Sequence, residues 1–254
     1  MRVVGVIGSA WAAWSVALAG CSVGAGGFFA AGENEGPVAV PVGAHRGPMS
    51  VAILGARGIY DETVWLAFLR DYPLAVTRID LISAHLDDRT FAGFDIVILD
   101  HLTRTFDADE AAALASWVHA GGSLIALAGF VNDSADVQPP SSLLAALPIR
   151  YTPGLIALDV LTHISDFSAH PTTAGLASVP FFGGYHVALT GTCDGDTQVI
   201  ASLDRDPVAA ACQHGAGRVY VWGDEWVDYS SQWDGKTDAP RFWKNAIDWL
   251  THRT

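Results

Sequence analysis

The chain has 254 residues, of which 50% are hydrophobic and 16% are charged, and its formal net charge is −13. This composition predicts a folded protein large enough for one sizeable α/β domain or two small ones. The negative balance argues against nucleic acid or anionic lipid headgroups being held by charge, because both require clustered Lys and Arg.

Residues 1–20 have the pattern of an export signal. Arg2 precedes an apolar run over 3–18 that is too short for a comfortable membrane span. The run ends in the letters LAGC, which resemble a bacterial lipoprotein signal and imply that Cys21 is acylated after cleavage in front of it. Ser22 then implies outer-membrane delivery if the host has two membranes. An ordinary secretory signal and an uncleaved anchor are the alternatives.

Residues 21–48 are rich in Gly, Ala and Pro and show no periodicity, which predicts a flexible tether between lipid and domain. No repeat or further boundary follows, so residues 49–254 are expected to form one domain. Once the signal is removed, Cys193 and Cys212 are the thiols left to pair, and an exported protein favours a disulfide between them. Two small buried thiols are the alternative interpretation.

The segment after Met49 alternates strands and helices. Strands are predicted at 51–54, 74–82, 94–99 and 123–128, with helices starting near Asp61 and at Asp107. The second helix carries acidic residues in its first turn and glycine at its end. The order β-α-β-β-α-β predicts a mostly parallel sheet with helices on both faces.

The second half of the chain is less regular. Pro139-Pro140 should break the chain before a short helix over 141–146. A turn at 204–207 should join two strands into an antiparallel hairpin added to the sheet, and 240–250 has the apolar stripe of a terminal helix. The strand-like runs in this half are 156–163, 179–189, 197–203, 207–213 and 217–222.

Three stretches together resemble the class I glutamine amidotransferase-like superfamily, and within it the ThuA-like (trehalose utilisation) branch. They are FDIVILD with HAGGSLIALAG, HPTTAGL from His170, and GAGRV from Gly215 leading into Gly223-Asp224 and a Trp-rich helix. The resemblance covers about residues 50–252. It implies a flavodoxin-like, doubly wound sheet with a ligand cleft at the carboxyl ends of its strands.

Active members of that superfamily carry a nucleophile on a tight turn after the fourth strand. Here the turn reads LAGFV, residues 127–131, with no Cys, Ser or Thr. Without a nucleophile no thioester can form, so the Cys-His chemistry of the superfamily should be absent. The resemblance therefore favours a domain that binds rather than one that catalyses.

The doubly wound layout should bring polar residues together at one rim. Asp100 and His101 follow the third strand, and Asp224 and Glu225 follow the last. These candidates could act as a general base on water or bind a divalent cation. The alternative is that the aspartates hold turns by accepting backbone N–H groups. No ligand spacing specifies a metal or other cofactor, so none is predicted and a divalent cation stays open.

A second group, His163, Asp166 and His170, has the spacing H-x2-D-x3-H. A loop with this spacing has no defined ligand face, which makes it a weak metal motif. The proline after His170 restricts this histidine to extended geometry. We therefore expect a structural role, with the ring bonded to a backbone carbonyl before the turn at 172–176.

Aromatic side chains accompany the carboxylates in the stretch GDEWVDYSSQW, residues 223–233. An aromatic face flanked by carboxylates suits a sugar or a cationic ligand. Aromatics that merely anchor a long loop are the alternative. The residues predicted to bind a ligand are Arg57, Tyr60, Phe130, Asn132, Trp226, Tyr229 and Trp233.

Taken together, these features predict an exported, lipid-anchored envelope protein whose amidotransferase-like domain binds a carbohydrate or another envelope component. The alternatives are a hydrolase with a carboxylate/His site, metal-assisted or not, and a protein-interaction module of an envelope complex. The expected partners are the membrane, through lipidated Cys21, a carbohydrate ligand and an envelope protein, but not nucleic acid.

Overall fold

Apolar segments supply the strands of a central sheet. The computed structural model describes residues 48–80, 84–129, 134–157, 160–195 and 197–252, all of them in the unit Pro41–Thr254. Three residues of the predicted sites, Cys21, Phe130 and Asn132, lie outside these ranges. The strands are β1 (Met49–Leu54), β2 (Leu74–Ile79), β3 (Ile96–Leu99), β4 (Ser123–Leu127), β5 (Ile149–Ile156), β6 (Thr162–Ile164), β7 (Asp166–Phe167), β8 (Val179–Phe181), β9 (Gly184–Leu189), β10 (Thr197–Leu203), β11 (Asp206–His214) and β12 (Gly217–Trp222).

The main sheet formed by the described residues has eight strands in the order β2-β1-β3-β4-β12-β11-β10-β7. Its first five strands are parallel, and the remaining pairings are antiparallel. The strands β10 and β11 form the added hairpin predicted from the turn at 204–207. Two small antiparallel sheets, β5-β9 and β6-β8, complete the α/β, flavodoxin-like fold that the sequence predicts.

Helices cover both faces of the sheet. Strand β3 is buried throughout, and its side chains alternate between the two cores: Val97 and Leu99 lie on one side, Ile96 and Ile98 on the other. The first core includes Leu114 and other side chains of the third helix, whereas the second core includes residues of the first and last helices. The helices are α1 (Thr63–Asp71), α2 (Asp88–Phe91), α3 (Ala108–His119), α4 (Gln138–Leu143) and α5 (Ala239–Leu250).

Local signals explain where these helices begin. The carboxylate of Asp107 accepts hydrogen bonds from the N–H groups of Asp109 and Glu110, so α3 starts as its acidic first turn predicts. Asp61 accepts from the N–H of Thr63 at the start of α1. The side chain of Glu62, the residue between them, does not cap the helix and turns inward.

Several boundaries differ from the sequence predictions. Pro139 and Pro140 lie in the first turn of α4 and do not break the chain, because that turn needs no intrahelical N–H donors. The run 179–189 is interrupted by a turn with Gly183 at positive φ, which divides it into β8 and β9. The run 156–163 is likewise divided, between the end of β5 and the start of β6. The short helix α2 was not predicted, since four residues are too few for a helical period.

Cys193 and Cys212 are joined by a disulfide, with 5.8 Å between their Cα atoms. Cys212 lies on β11 and is fully buried, so the bridge ties the loop before β10 to the open end of the hairpin, where Cys212 pairs with Thr197. In the described part of the chain, no helix is both long enough and apolar enough to cross a bilayer.

Candidate functional site

The sheet topology brings distant parts of the chain to one edge. From β1 the chain crosses to β2 on one side and later to β3 on the other, so the ends of β1 and β3 flank a switch point. Asp100 directly follows β3, and the turn containing Asp228 follows β12. Glu62 precedes α1, and Arg78 lies near the end of β2. These residues meet at the carboxyl ends of the parallel strands.

A buried acidic cluster forms there. The side chains of Glu62, Asp100, His101 and Asp228 each offer a ligand atom, and these atoms lie within 4.8 Å of one another. Glu62 is 6% exposed, whereas Asp100 and Asp228 are fully buried. Buried carboxylates are costly unless they are paired, so their partners decide what the cluster can do.

Arg78 supplies the positive charge next to the cluster. Its Nη2 lies 2.5 Å from Oε2 of Glu62, and its Nη1 lies 3.1 Å from Oδ2 of Asp100. It also donates to the backbone carbonyl of Ala56 at the end of β1. One guanidinium thus holds together the ends of β1, β2 and β3. Burial raises the pKa of Glu62, as does the charge of Asp100, while the N–H of Gly58 and the charge of Arg78 oppose this.

Asp228 has no such partner. Within the described ranges, no donor reaches either of its carboxylate oxygens. Burial raises the pKa of Asp228, and the charges of Asp100, Glu225 and Glu62 raise it further. A proton shared with Asp100 would relieve part of this repulsion. A bound cation would relieve it as well.

His101 forms the wall between this cluster and open solvent. Its backbone is held at φ 47°, in the left-handed region that is costly for a residue other than glycine. This conformation places Nε2 at 3.4 Å from Oδ1 of Asp100 and 3.3 Å from the hydroxyl of Tyr229. The imidazole is therefore positioned to exchange a proton or to ligate a cation.

Asp224 and Glu225 lie near the cluster but serve other contacts. Oδ2 of Asp224 accepts a hydrogen bond of 2.7 Å from the N–H of Phe182, as the turn-holding alternative for this aspartate proposes. Burial raises its pKa to about 8. The Glu225 carboxyl lies against Gly129, and burial raises its pKa too, with the charge of Asp224 adding to the effect.

A cleft of about 450 Å³ opens beside the cluster, a volume suited to a small ligand. It runs along the ends of β1, β3 and β4 and includes the backbone of Gly129. On the other side of the loop 57–62, a smaller cavity of about 250 Å³ is lined by Tyr60 and Glu62. Polar side chains that line the larger cleft include Arg57, His101, Thr103, Arg104, Asp136 and Gln138.

The predicted aromatic residues separate into two groups. Tyr60 is exposed, and its ring packs edge-on against Trp226 at 5.2 Å and against Tyr229 at 5.0 Å. Tyr229 is buried beneath it, and Trp226 is half-buried. Trp233 instead packs on Phe68 and donates its indole N–H to a backbone carbonyl. Of these rings, Tyr60 thus has the most open face.

The group of His163, Asp166 and His170 is not assembled into a site. His163 and Asp166 are exposed on β6 and β7, whereas His170 is buried. Nδ1 of His170 accepts from the N–H of Thr172, and its ring packs against Trp249. Nδ1 also lies 2.7 Å from the hydroxyl of Thr172, and these contacts fit the structural role expected from the sequence.

Glu62, Arg78 and Asp228 were not predicted as members of one site. Glu62 follows Asp61, the predicted helix cap, and Arg78 lies in a strand. Asp228 was expected to flank an aromatic surface but is fully buried. A sequence signal did exist for Asp228, since three acidic residues stand directly after a buried strand.

Comparison with known protein families gives no match for this sequence, and neither does comparison with curated proteins. Solved structures do match its fold. A ThuA-like protein of Parabacteroides merdae has a TM-score of 0.51 at 11% identity, covering 82% of this chain and 91% of that protein. A ThuA-like protein of Bacteroides uniformis has a TM-score of 0.50 at 14% identity, covering 83% and 95%.

The mmIFT52 N-terminal domain matches with a TM-score of 0.64 at 14% identity, covering 79% of this chain and 97% of that domain. At such low identity these likenesses concern the fold. The protein is therefore an α/β protein whose flavodoxin-like fold is similar to that of the ThuA-like proteins.

Proposed function

We propose that this protein binds a carbohydrate or a similar polyhydroxylated component of the cell envelope. The binding site is the cleft at the carboxyl edge of the sheet together with the smaller cavity across the loop 57–62. A sugar presents an apolar CH face and a rim of hydroxyl groups, so its site needs an aromatic surface next to hydrogen-bonding side chains. Both features occur here on and around the loop 57–62.

The observation that carries this proposal is the exposed apolar tip of that loop. Ile59 is 65% exposed and Tyr60 is 54% exposed, although each has a large apolar side chain. Arg57 on the same loop lines both the larger cleft and the smaller cavity. Ile59 borders the larger cleft and Tyr60 the smaller cavity, so a ligand that straddles the loop can rest on both side chains while it bonds to Arg57.

The turn after β4 supports binding over amidotransferase chemistry. A Cβ atom added to Gly129 would lie 0.9 Å from Oε2 of Glu225, so the carboxyl group fills the space that a side chain would need. A nucleophile at this position would displace Glu225. This occupied turn therefore favours a domain that binds a ligand over one that attacks it with a nucleophile.

Isothermal titration of the full chain with neutral disaccharides and soluble peptidoglycan fragments tests the proposal. We expect saturable heat and a change in tryptophan fluorescence, since Trp226 packs against Tyr60. Tyr60→Ala should weaken binding by up to about tenfold, because one aromatic contact contributes about 0.5–1.5 kcal/mol. Val160→Ala, a change at an exposed apolar residue outside both cavities, is the matched control. Absence of heat with every glycan would reject the proposal.

Hydrolysis is a second candidate, and the position of His101 favours it. An imidazole that faces the cleft and lies beside Asp100 is a suitable general base for water. Chromogenic glycosides and esters test this candidate directly. Turnover that is lost in His101→Ala would support a hydrolase, whereas glycan binding without turnover would leave the binding role.

We also propose that the protein is exported and held at the cell envelope by lipid on Cys21, in the outer membrane where the host has two. The disulfide between Cys193 and Cys212 supports export, because such bridges persist in oxidising compartments. Metabolic labelling with an alkyne fatty acid should modify the wild type but not Cys21→Ala. Release of that variant into the soluble fraction should accompany the loss, and equal labelling of both proteins would contradict the anchor.

A further inference from the structure

We propose that Glu62, Asp100, His101 and Asp228 together bind one divalent cation, with Mn²⁺ or Zn²⁺ as the expected ion. This inference stands apart from the glycan site, since it concerns the buried cluster beneath the loop 57–62 and not the cleft beside it.

The geometry matches a coordination shell. Ligands of a divalent cation lie at about 2.0–2.6 Å from it, so two ligands are separated by roughly 3–5 Å. The ligand atoms of the four side chains lie within 4.8 Å of one another, which is inside this range. They come from the start of α1, the end of β3 and the turn after β12, so the fold itself sets their separation.

The charge of the cluster also fits a divalent ion. Glu62, Asp100 and Asp228 carry three negative charges when ionised, and Arg78 supplies one positive charge in contact with two of them. The excess equals the charge of a divalent cation. Because Asp100 and Asp228 are fully buried, water cannot compensate this excess.

Free ligand atoms remain after the protein contacts are made. Both oxygens of Asp228 lack a donor among the described residues, although the side chain is fully buried. Oδ1 of Asp100 faces the His101 imidazole at 3.4 Å, and Arg78 bonds to its other oxygen. Asp100 and Asp228 thus keep oxygens for a cation, whereas each oxygen of Glu62 already accepts one hydrogen bond and offers its second lone pair. Three carboxylates with one imidazole suit Mn²⁺ or Zn²⁺ better than Mg²⁺ or Ca²⁺, which prefer oxygen alone.

Gly58 packs its backbone directly against the cluster. A Cβ atom at this position would lie 2.6 Å from Nε2 of His101 and 2.9 Å from Oε1 of Glu62, so any other residue would press on the cluster. His101 lines the larger cleft and Glu62 lines the smaller cavity, so the cluster can be reached from solvent on either side of the loop.

The test uses the full chain after treatment with a chelator and dialysis. The protein is then titrated with MnCl₂ or ZnCl₂. Elemental mass spectrometry should find one bound ion per chain. The titration should also raise Tm by about 5 °C at saturating metal, since an ion that binds the folded state alone stabilises it. Asp228→Asn should weaken binding by at least about 100-fold, because loss of an outer-shell partner alone costs about 10–100-fold.

Asp224→Asn is the matched control, because Asp224 is equally buried in the same stretch but lies outside the cluster. This variant should bind metal as the wild type does. His101→Ala provides a second ligand change in case Asp228→Asn does not fold, and it should also weaken binding. The inference is overturned if the wild type binds neither ion, or if both ligand variants bind as tightly as the control.

Discussion

The carboxyl group of Glu225 occupies the space where a side chain on Gly129 would begin. Its Oε2 lies 0.9 Å from the position of a Cβ atom on that glycine. The two residues are far apart in sequence and meet because β4 and β12 are parallel neighbours. This contact fills the turn after β4, so we expect the two residues to be energetically coupled.

The contact predicts that Gly129→Ala is destabilising. The added methyl must displace Glu225, and such overpacking costs about 1–3 kcal/mol. Urea denaturation measures the loss. The double variant Gly129→Ala/Glu225→Ala should recover most of it, because the space is then free. If the double variant shows the sum of the two single effects, the residues are not coupled.

Arg78→Gln should also be destabilising. The change leaves Glu62 and Asp100 without their shared cation, and removal of one partner from a buried ion pair costs about 3–5 kcal/mol. Chemical denaturation in the presence of chelator measures the effect without metal. Lys236→Gln is a suitable control, since Lys236 pairs with Asp234 at the surface and should tolerate the change. Equal stability of the two variants would contradict the role of Arg78.

The buried ion pair of Glu110 with Arg104 predicts an acid-sensitive step in stability. Hydrogen bonds from Arg104, helped by the N–H groups of Leu86 and Asp107, lower the pKa of Glu110 from 4.5 to about 2. A depressed folded-state pKa stabilises the protein above the unfolded value, and this contribution disappears as pH falls from about 4.5 towards 2. It amounts to at most about 3 kcal/mol.

Glu110→Gln should therefore lower the free energy of unfolding at neutral pH and flatten its decline below pH 4.5. Urea unfolding at several pH values provides the measurement. Asp109→Asn changes an exposed carboxylate in the same turn and should leave the acid profile intact. If the free energy of unfolding of Glu110→Gln depends on pH as that of the wild type does, the Glu110–Arg104 pair contributes nothing to folding stability.

The disulfide predicts a loss of stability on reduction. It closes a loop with a sequence separation of 19 residues, for which the chain-entropy estimate is about 3 kcal/mol. The variant Cys193→Ala/Cys212→Ala should unfold at correspondingly lower urea, and dithiothreitol should shift the wild type towards it but leave the variant unchanged. Equal sensitivity of both proteins to dithiothreitol would contradict a structural bridge.

Local sequence patterns were sufficient to predict many of the strands and helices of the fold. The run FDIVIL predicted a strand buried on both faces, and β3 is buried at each of its four positions. Asp107 and Glu110 marked the start of α3, because capping depends on neighbours three residues apart. The short helix α2 and the break between β8 and β9 were missed, since each depends on a turn of only a few residues.

The sequence by itself determined the elements, their order and the edge of the sheet at which Asp100 and His101 lie, because periodicity and capping are properties of neighbouring residues. Only the tertiary structure decided that Glu62, Arg78 and Asp228 join them, and that Asp224 holds a backbone turn instead. The reason is that these contacts join the start of α1 with the ends of β2, β3 and β12. Their distances depend on how the sheet is wound, and no local pattern encodes them.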